Sequence, residues 1–125
     1  MNVVDSPGWL EYFADEENAS FFAVAIEDIE QLVVPVLSIY EVFKRIIQEL
    51  NEDKGLQVVA IMQQGLLVDL DARLALSAAK LSASYKLPMA GSIILATARA
   101  YEATLWTQDV DFAQIEGVQY VAKQR

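Results

Sequence analysis

The sequence predicts an α/β sandwich: a short-stranded, mostly parallel sheet with helices on both faces. Three observations carry this. Apolar runs of three or four residues recur at 1–4, 32–34, 66–68 and 104–106, short enough for strands and too continuous for strands with one wet face. The segments between them show apolar residues at spacings of three and four, the helical period. Acidic residues follow the first and fourth runs closely, on the side where open parallel sheets form their sites.

The elements follow in order. Residues 1–4 form a strand ending at Asp5. Ser6 is a candidate N-cap with Pro7 at the first helical position, and Trp9, Leu10 and Phe13 give that helix its apolar face. An acidic turn over 15–18 leads to a second helix over about 18–27. The run 32–34 is stopped by Pro35. A helix over 38–50 carries Val36, Ile39, Tyr40, Phe43, Ile46, Ile47 and Leu50 as its core stripe, with Glu41 about one step off it. A polar turn over 51–55 precedes a helix over about 56–64, which Gly65 ends as a left-handed cap. After the strand at 66–68, Asp69 or Asp71 caps a helix reaching about Ser84. Pro88 opens the next helix, to about Tyr101. The strand at 104–106 runs into Thr107-Gln108-Asp109-Val110-Asp111-Phe112, and 118–121 is an edge strand. No linker divides the 125 residues, so one domain over 1–125 is expected.

Composition restricts the chemistry. The chain has no cysteine and no histidine. That removes thiolate chemistry, the commonest general base and the usual zinc ligands. Oxygen ligands remain, and they suit Mg²⁺ or Mn²⁺. The net charge of −9 excludes passive binding to nucleic acid, which needs clustered cations. A cation or a basic partner would have to bridge the two. No apolar run is long enough to span a membrane, and the N-terminus lacks a basic leader pattern. A cytoplasmic protein is expected.

Four acids are expected to converge at one end of the sheet: Asp5 after the first strand, Glu41 in the helix after the second, and Asp109 and Asp111 after the fourth. Carboxylates held together repel and take up protons unless a cation compensates. A carboxylate-held metal can orient and acidify a water for attack on a phosphodiester. Each acid also has a plainer reading. Asp5 could belong to a capping turn, Glu41 could be a solvated helix acid, and Asp109 and Asp111 could be turn formers. A phospho-acceptor receiver domain is disfavoured, because Asp5 lacks a paired acid and the late lysine, Lys123, falls in the tail.

Four segments, VVDSPGWLEYF, IYEVFKRI, LPMAGSIILATARAY and TQDVDF, stand in an order and spacing similar to PIN-domain ribonucleases of the VapC toxin type. The resemblance covers nearly the whole chain. It implies a three-layer α/β/α sandwich and a Mg²⁺- or Mn²⁺-dependent endoribonuclease acting on RNA. It also implies the toxin half of a toxin–antitoxin pair, usually dimeric and inhibited by a small antitoxin whose tail covers the acidic pocket. It assigns Asp5, Glu41 and Asp109 as metal ligands and Asp111 as an auxiliary acid. Ser6, Thr107 and Ser92 are supporting hydroxyls.

The departure is Gly91. In the pattern L-P-x-A-D-S-I-I-L-A-T-A the family has an aspartate where this chain has glycine, while Pro88, Ala90, Ser92, Ile93, Ile94 and Thr97 agree. Glycine there weakens the helix by about 1 kcal/mol relative to alanine and removes an acid from a helix first turn, where it is electrostatically favoured. Impaired or absent catalysis is therefore expected. A domain that only binds its antitoxin is the alternative.

Overall fold

The computed structural model describes residues 1–123. Five three- or four-residue strands form the sheet: β1 (Asn2–Val4), β2 (Val33–Pro35), β3 (Leu66–Val68), β4 (Thr104–Thr107) and β5 (Val118–Tyr120). Six helices connect them: α1 (Ser6–Phe13), α2 (Ala19–Ile26), α3 (Val36–Glu49), α4 (Glu52–Met62), α5 (Ala72–Tyr85) and α6 (Met89–Ala100). All pairings are parallel. β1, β4 and β5 form one ladder and β2 and β3 another, linked by a single parallel bridge between Asn2 and Leu32. The spatial order is therefore β3-β2-β1-β4-β5. The chain steps outward from β1 to β3, then crosses back to the other side of β1. The switch point lies between the carboxyl ends of β1 and β4, where such sheets open a crevice.

Side-chain alternation along the strands divides the core into two faces. Val3, Val33, Val68 and Leu105 pack with Leu74, Ala78, Ile94, Leu95 and Phe112, beneath α5 and α6. Val4 and Val34 turn the other way, toward Trp9, Phe22, Val42, Ile46 and Met62 from α1 to α4. β1 and β2 are covered on both faces and read as apolar runs, whereas Leu66 and Leu67 of β3 are exposed. Val3, Val4, Val33 and Val34 are wholly buried, each such burial stabilising by about 1.5–3 kcal/mol. The three-layer α/β/α sandwich expected from the sequence is the observed architecture.

Several local expectations shift. Ser6 is the first residue of α1, and its N-cap is Asp5, whose side chain accepts from the Ser6 N–H. α4 starts at Glu52, because Asn51 caps it by accepting from the Lys54 N–H at 2.8 Å. The expected turn at 51–55 is thus helix. Gly55 serves close helix packing, as a Cβ there would lie 2.8 Å from the Phe43 ring. Gly65 is no left-handed cap, since the only glycine with positive φ is Gly117. A Cβ at Gly65 would instead meet Val34 at 2.9 Å and the Leu32 carbonyl oxygen at 3.0 Å. On α3 the buried residues are Ser38, Val42 and Ile46. Val36, Tyr40, Ile47 and Leu50, assigned to the core stripe from spacing, are exposed. α3 carries apolar residues on two sides, and spacing alone could not choose between them.

Gly8 shows how tightly α1 is seated. A Cβ there would come within 2.5 Å of the Phe22 ring and 2.8 Å of Val4. Both neighbours are fully buried and cannot swing into solvent. Gly8→Ala is expected to lower stability by about 1–3 kcal/mol, the usual cost of overpacking. Urea unfolding measures this, and an unchanged midpoint would mean the α1–β1–α2 contact is looser than described.

Candidate functional site: an acidic crevice at the strand switch point

Asp5 is the centre of the site. β1 ends at Val4, and the Asp5 N–H still donates to the Trp106 carbonyl at 2.9 Å, extending the ladder by one residue. This fixes the carboxylate between the ends of β1 and β4. One oxygen, Oδ1, accepts from the Ser6 N–H at 3.0 Å. The other, Oδ2, accepts from the Thr107 hydroxyl at 2.9 Å. Thr107 is the last residue of β4 and is fully buried. Its hydroxyl oxygen also accepts from the Asp109 N–H at 3.0 Å, so one hydroxyl ties Asp5 to the loop carrying the next acid. Asp109 caps the short 3₁₀ turn Val110–Phe112 by accepting from the Asp111 N–H at 2.9 Å.

Glu41 reaches the same place from α3. Its Oε1 accepts from the Ser6 hydroxyl at 2.6 Å. Ser6 thus links two acids, its N–H bonding Asp5 and its Oγ bonding Glu41. β2 passes directly into α3 at Pro35–Val36, which brings Glu41 back over the sheet end.

Burial pushes the Asp5 carboxyl up from 3.8 to about 6. The hydrogen bonds from Thr107 and Ser6 oppose that shift, and the charges of Asp109 and Glu41 add to it. Ser6 and Thr107 thus join Asp5, Glu41 and Asp109 at one strand end. Asp111 is exposed and joins the site through its backbone N–H. Ser92 is buried, and its hydroxyl donates to the Met89 carbonyl within α6 at 2.8 Å, not to any of the acids.

Gly91 lies in the first turn of α6 and is buried. A Cβ on it would lie 3.0 Å from Cζ of Phe112, so the ring abuts the place where any side chain at 91 would begin. The oxygen donors suit a hard cation, and the mutual repulsion of the acids favours one. Among the described residues, however, no group of three or more acidic side chains is placed to hold a metal ion. The first turn of α6 contributes no acid to the crevice.

Two features were not legible in the sequence. Asn18, placed in an acidic turn, is buried. Its amide donates to the Gln108 side-chain carbonyl at 3.0 Å and to the Ala122 carbonyl at 3.1 Å, steadying the loop between Thr107 and Asp109. A helix-preceding asparagine signals a cap, but this one makes no capping bond. The second is an open cavity of about 340 Å³ beside Ser6 and Glu41.

A parallel sheet of this order, sandwiched by helices and holding acids at its switch point, defines a class, and the sequence fits it. The PIN-domain family profile matches residues 3–118, and the chain belongs to that family. No curated protein sequence matches it significantly. Among solved structures, a toxin–antitoxin complex from Klebsiella pneumoniae superposes with a TM-score of 0.80 at 22% identity, covering 95% of this chain and 96% of that one. The VapC20 toxin of Mycobacterium tuberculosis, which cleaves the sarcin–ricin loop, gives 0.76 at 12% identity, covering 93% and 95%. DNA-bound VapBC from Salmonella typhimurium gives 0.74 at 13% identity, covering 97% and 96%. At these identities the likeness is one of fold.

The raised Asp5 carboxyl sets a pH dependence. The folded state holds this proton more tightly than the unfolded chain does. The stability it contributes is thus fully present below pH 3.8, declines as pH rises, and is gone above about pH 6. The difference is of the order of 3 kcal/mol. Asp5→Asn keeps an acceptor for the Ser6 N–H and never ionises. It is expected to lose the slope between pH 4 and 6. Thermal melts across that range measure this, and parallel curves for the two proteins would contradict the assignment.

Proposed function

We propose that this chain is a PIN-type endoribonuclease of a toxin–antitoxin pair whose phosphodiester-cleaving site is impaired by the glycine at 91. The observation that carries the reading is the electrostatic convergence of Asp5, Glu41 and Asp109 at the switch point in a member of this family. RNA as substrate is supported by the sarcin–ricin-loop-cleaving neighbour. An antitoxin partner is supported by neighbours that are themselves toxin–antitoxin complexes. Mg²⁺ or Mn²⁺ is the cofactor class the oxygen-only donor set would accept. A homodimer and a cytoplasmic setting complete the reading. No helix among the described residues is long and apolar enough to cross a membrane.

The roles of the chain's own residues follow from their bonds. Asp5, Glu41 and Asp109 are the ligand acids, and Asp111 assists from the rim. Thr107 and Ser6 hold Asp5 and Glu41 at fixed orientation. Ser92 bonds back to the Met89 carbonyl within the first turn of α6. An acid at 91 would add the missing carboxylate and would favour a cation over protonation of Asp5.

A second reading is an antitoxin-binding module without catalysis. The open donor set and the Phe112 ring against Gly91 favour it. Cleavage of RNA with Mn²⁺ by the parent chain and by Gly91→Asp separates the two. The first reading predicts weak or no cleavage by the parent and at least a tenfold gain in the variant, a gain of about 1.4 kcal/mol in transition-state stabilisation. Phe112 must yield by a few tenths of an ångström to admit the new side chain. A silent Gly91→Asp that folds normally and copurifies with its antitoxin would establish the second reading.

A further inference from the structure

The cavity beside the acids has a composition of its own. Six of its lining residues are Ser6, Glu41, Tyr40, Lys44, Arg45 and Gln48, so it opens directly from the Ser6–Glu41 hydrogen bond. Lys44 and Arg45 are the only adjacent pair of basic residues in a chain of net charge −9. Arg45 is paired with Glu49 on the helix surface. Lys44 makes no ion pair among the described residues, and its ammonium stands 5.7 Å from the centroid of the Tyr40 ring. Tyr40 itself is 60% exposed, an unusual position for a large aromatic on a helix that carries a core stripe.

These positions share one surface of α3. Lys44 follows Glu41 by three residues and Tyr40 by four, so the Lys44 side chain neighbours both, about one turn on. A cation without an anionic partner, an exposed aromatic face and a carboxamide donor therefore sit one turn from the acidic crevice. Single-stranded nucleic acid is bound by this pairing: a cation on the phosphate and an aromatic ring under a base. Basic residues also occur on α5 and α6, where 72–101 holds four and no acid; what sets Lys44 and Tyr40 apart is their place beside Ser6 and Glu41.

We propose that Tyr40 and Lys44 form a substrate-positioning subsite for single-stranded RNA, Lys44 holding a backbone phosphate next to the acidic crevice and Tyr40 stacking the adjoining base. The proposal rests on the nuclease reading for its ligand, but it concerns binding and not cleavage. An acidic peptide would also satisfy Lys44, but it offers no flat face for the Tyr40 ring, so RNA is favoured.

The test is fluorescence anisotropy of a short labelled single-stranded oligoribonucleotide with the full chain in Ca²⁺, which can bridge phosphates to the acids, repeated over a salt series with the strand checked intact by gel. An intact strand means that no cleavage interferes, and the outcome is independent of whether Gly91→Asp cuts RNA. Lys44→Ala should weaken binding and reduce the slope of log affinity against log salt by about 0.7, the signature of one lost single-strand phosphate contact. Tyr40→Ala should weaken binding roughly 5- to 100-fold and leave the slope unchanged. Tyr40→Phe should bind as the parent does, because the stacking face is kept. Lys80→Ala, an exposed lysine on α5 in the opposite layer, should change neither quantity. The proposal is overturned if the parent shows no salt-dependent binding, if Lys80→Ala weakens it as much as Lys44→Ala, or if an acidic peptide binds and the RNA does not.

Discussion

The hydroxyl of Thr107 is the point on which this molecule turns. It donates to Asp5 and accepts from the Asp109 backbone. A carboxylate as deeply buried as Asp5 is costly to keep ionised without donors. Thr107 and Ser6 supply them from the end of one strand and the start of one helix. Those donors are available only because β1 and β4 pair in parallel, with Val4 beside Trp106, so that both strands end on the same side. The loop carrying Asp109 leaves from that shared end. Removing either donor strands a buried acid.

The same constraint explains the electrostatics. Hydrogen bonding alone would hold Asp5 low, but burial and the charges of Asp109 and Glu41 outweigh it, and the group rises to about 6. A site in this state is short of positive charge. A cation would relieve the repulsion. The first turn of α6 offers no acid to help hold one, since it carries Gly91, and Phe112 packs against that position. The PIN fold is thus kept with no acid in the first turn of α6.

Much of this was legible in the sequence, for definite reasons. Strands buried on both faces leave continuous apolar runs, and acids directly after such runs are hard to explain by packing. This located Asp5 and Asp109, and the register of the α6 motif exposed Gly91. What was hidden depended on close approach between segments far apart in the chain. Gly55 and Gly65 read as turn glycines, yet each makes room for a neighbour, Phe43 in one case and Val34 in the other. The apolar residues of α3 occupy two sides, so the pattern could not say which was wet, and Tyr40 was assigned to the core. Asn18 joins Gln108 across ninety positions of sequence, and no local signal announces such a bond.

The central claim is that Asp5 lies in an acidic site that lacks a compensating charge. It is tested most directly by following the Asp5 carboxyl carbon by NMR as pH is varied in the metal-free protein. The account predicts a midpoint near 6. A midpoint near the ordinary 3.8 would contradict it.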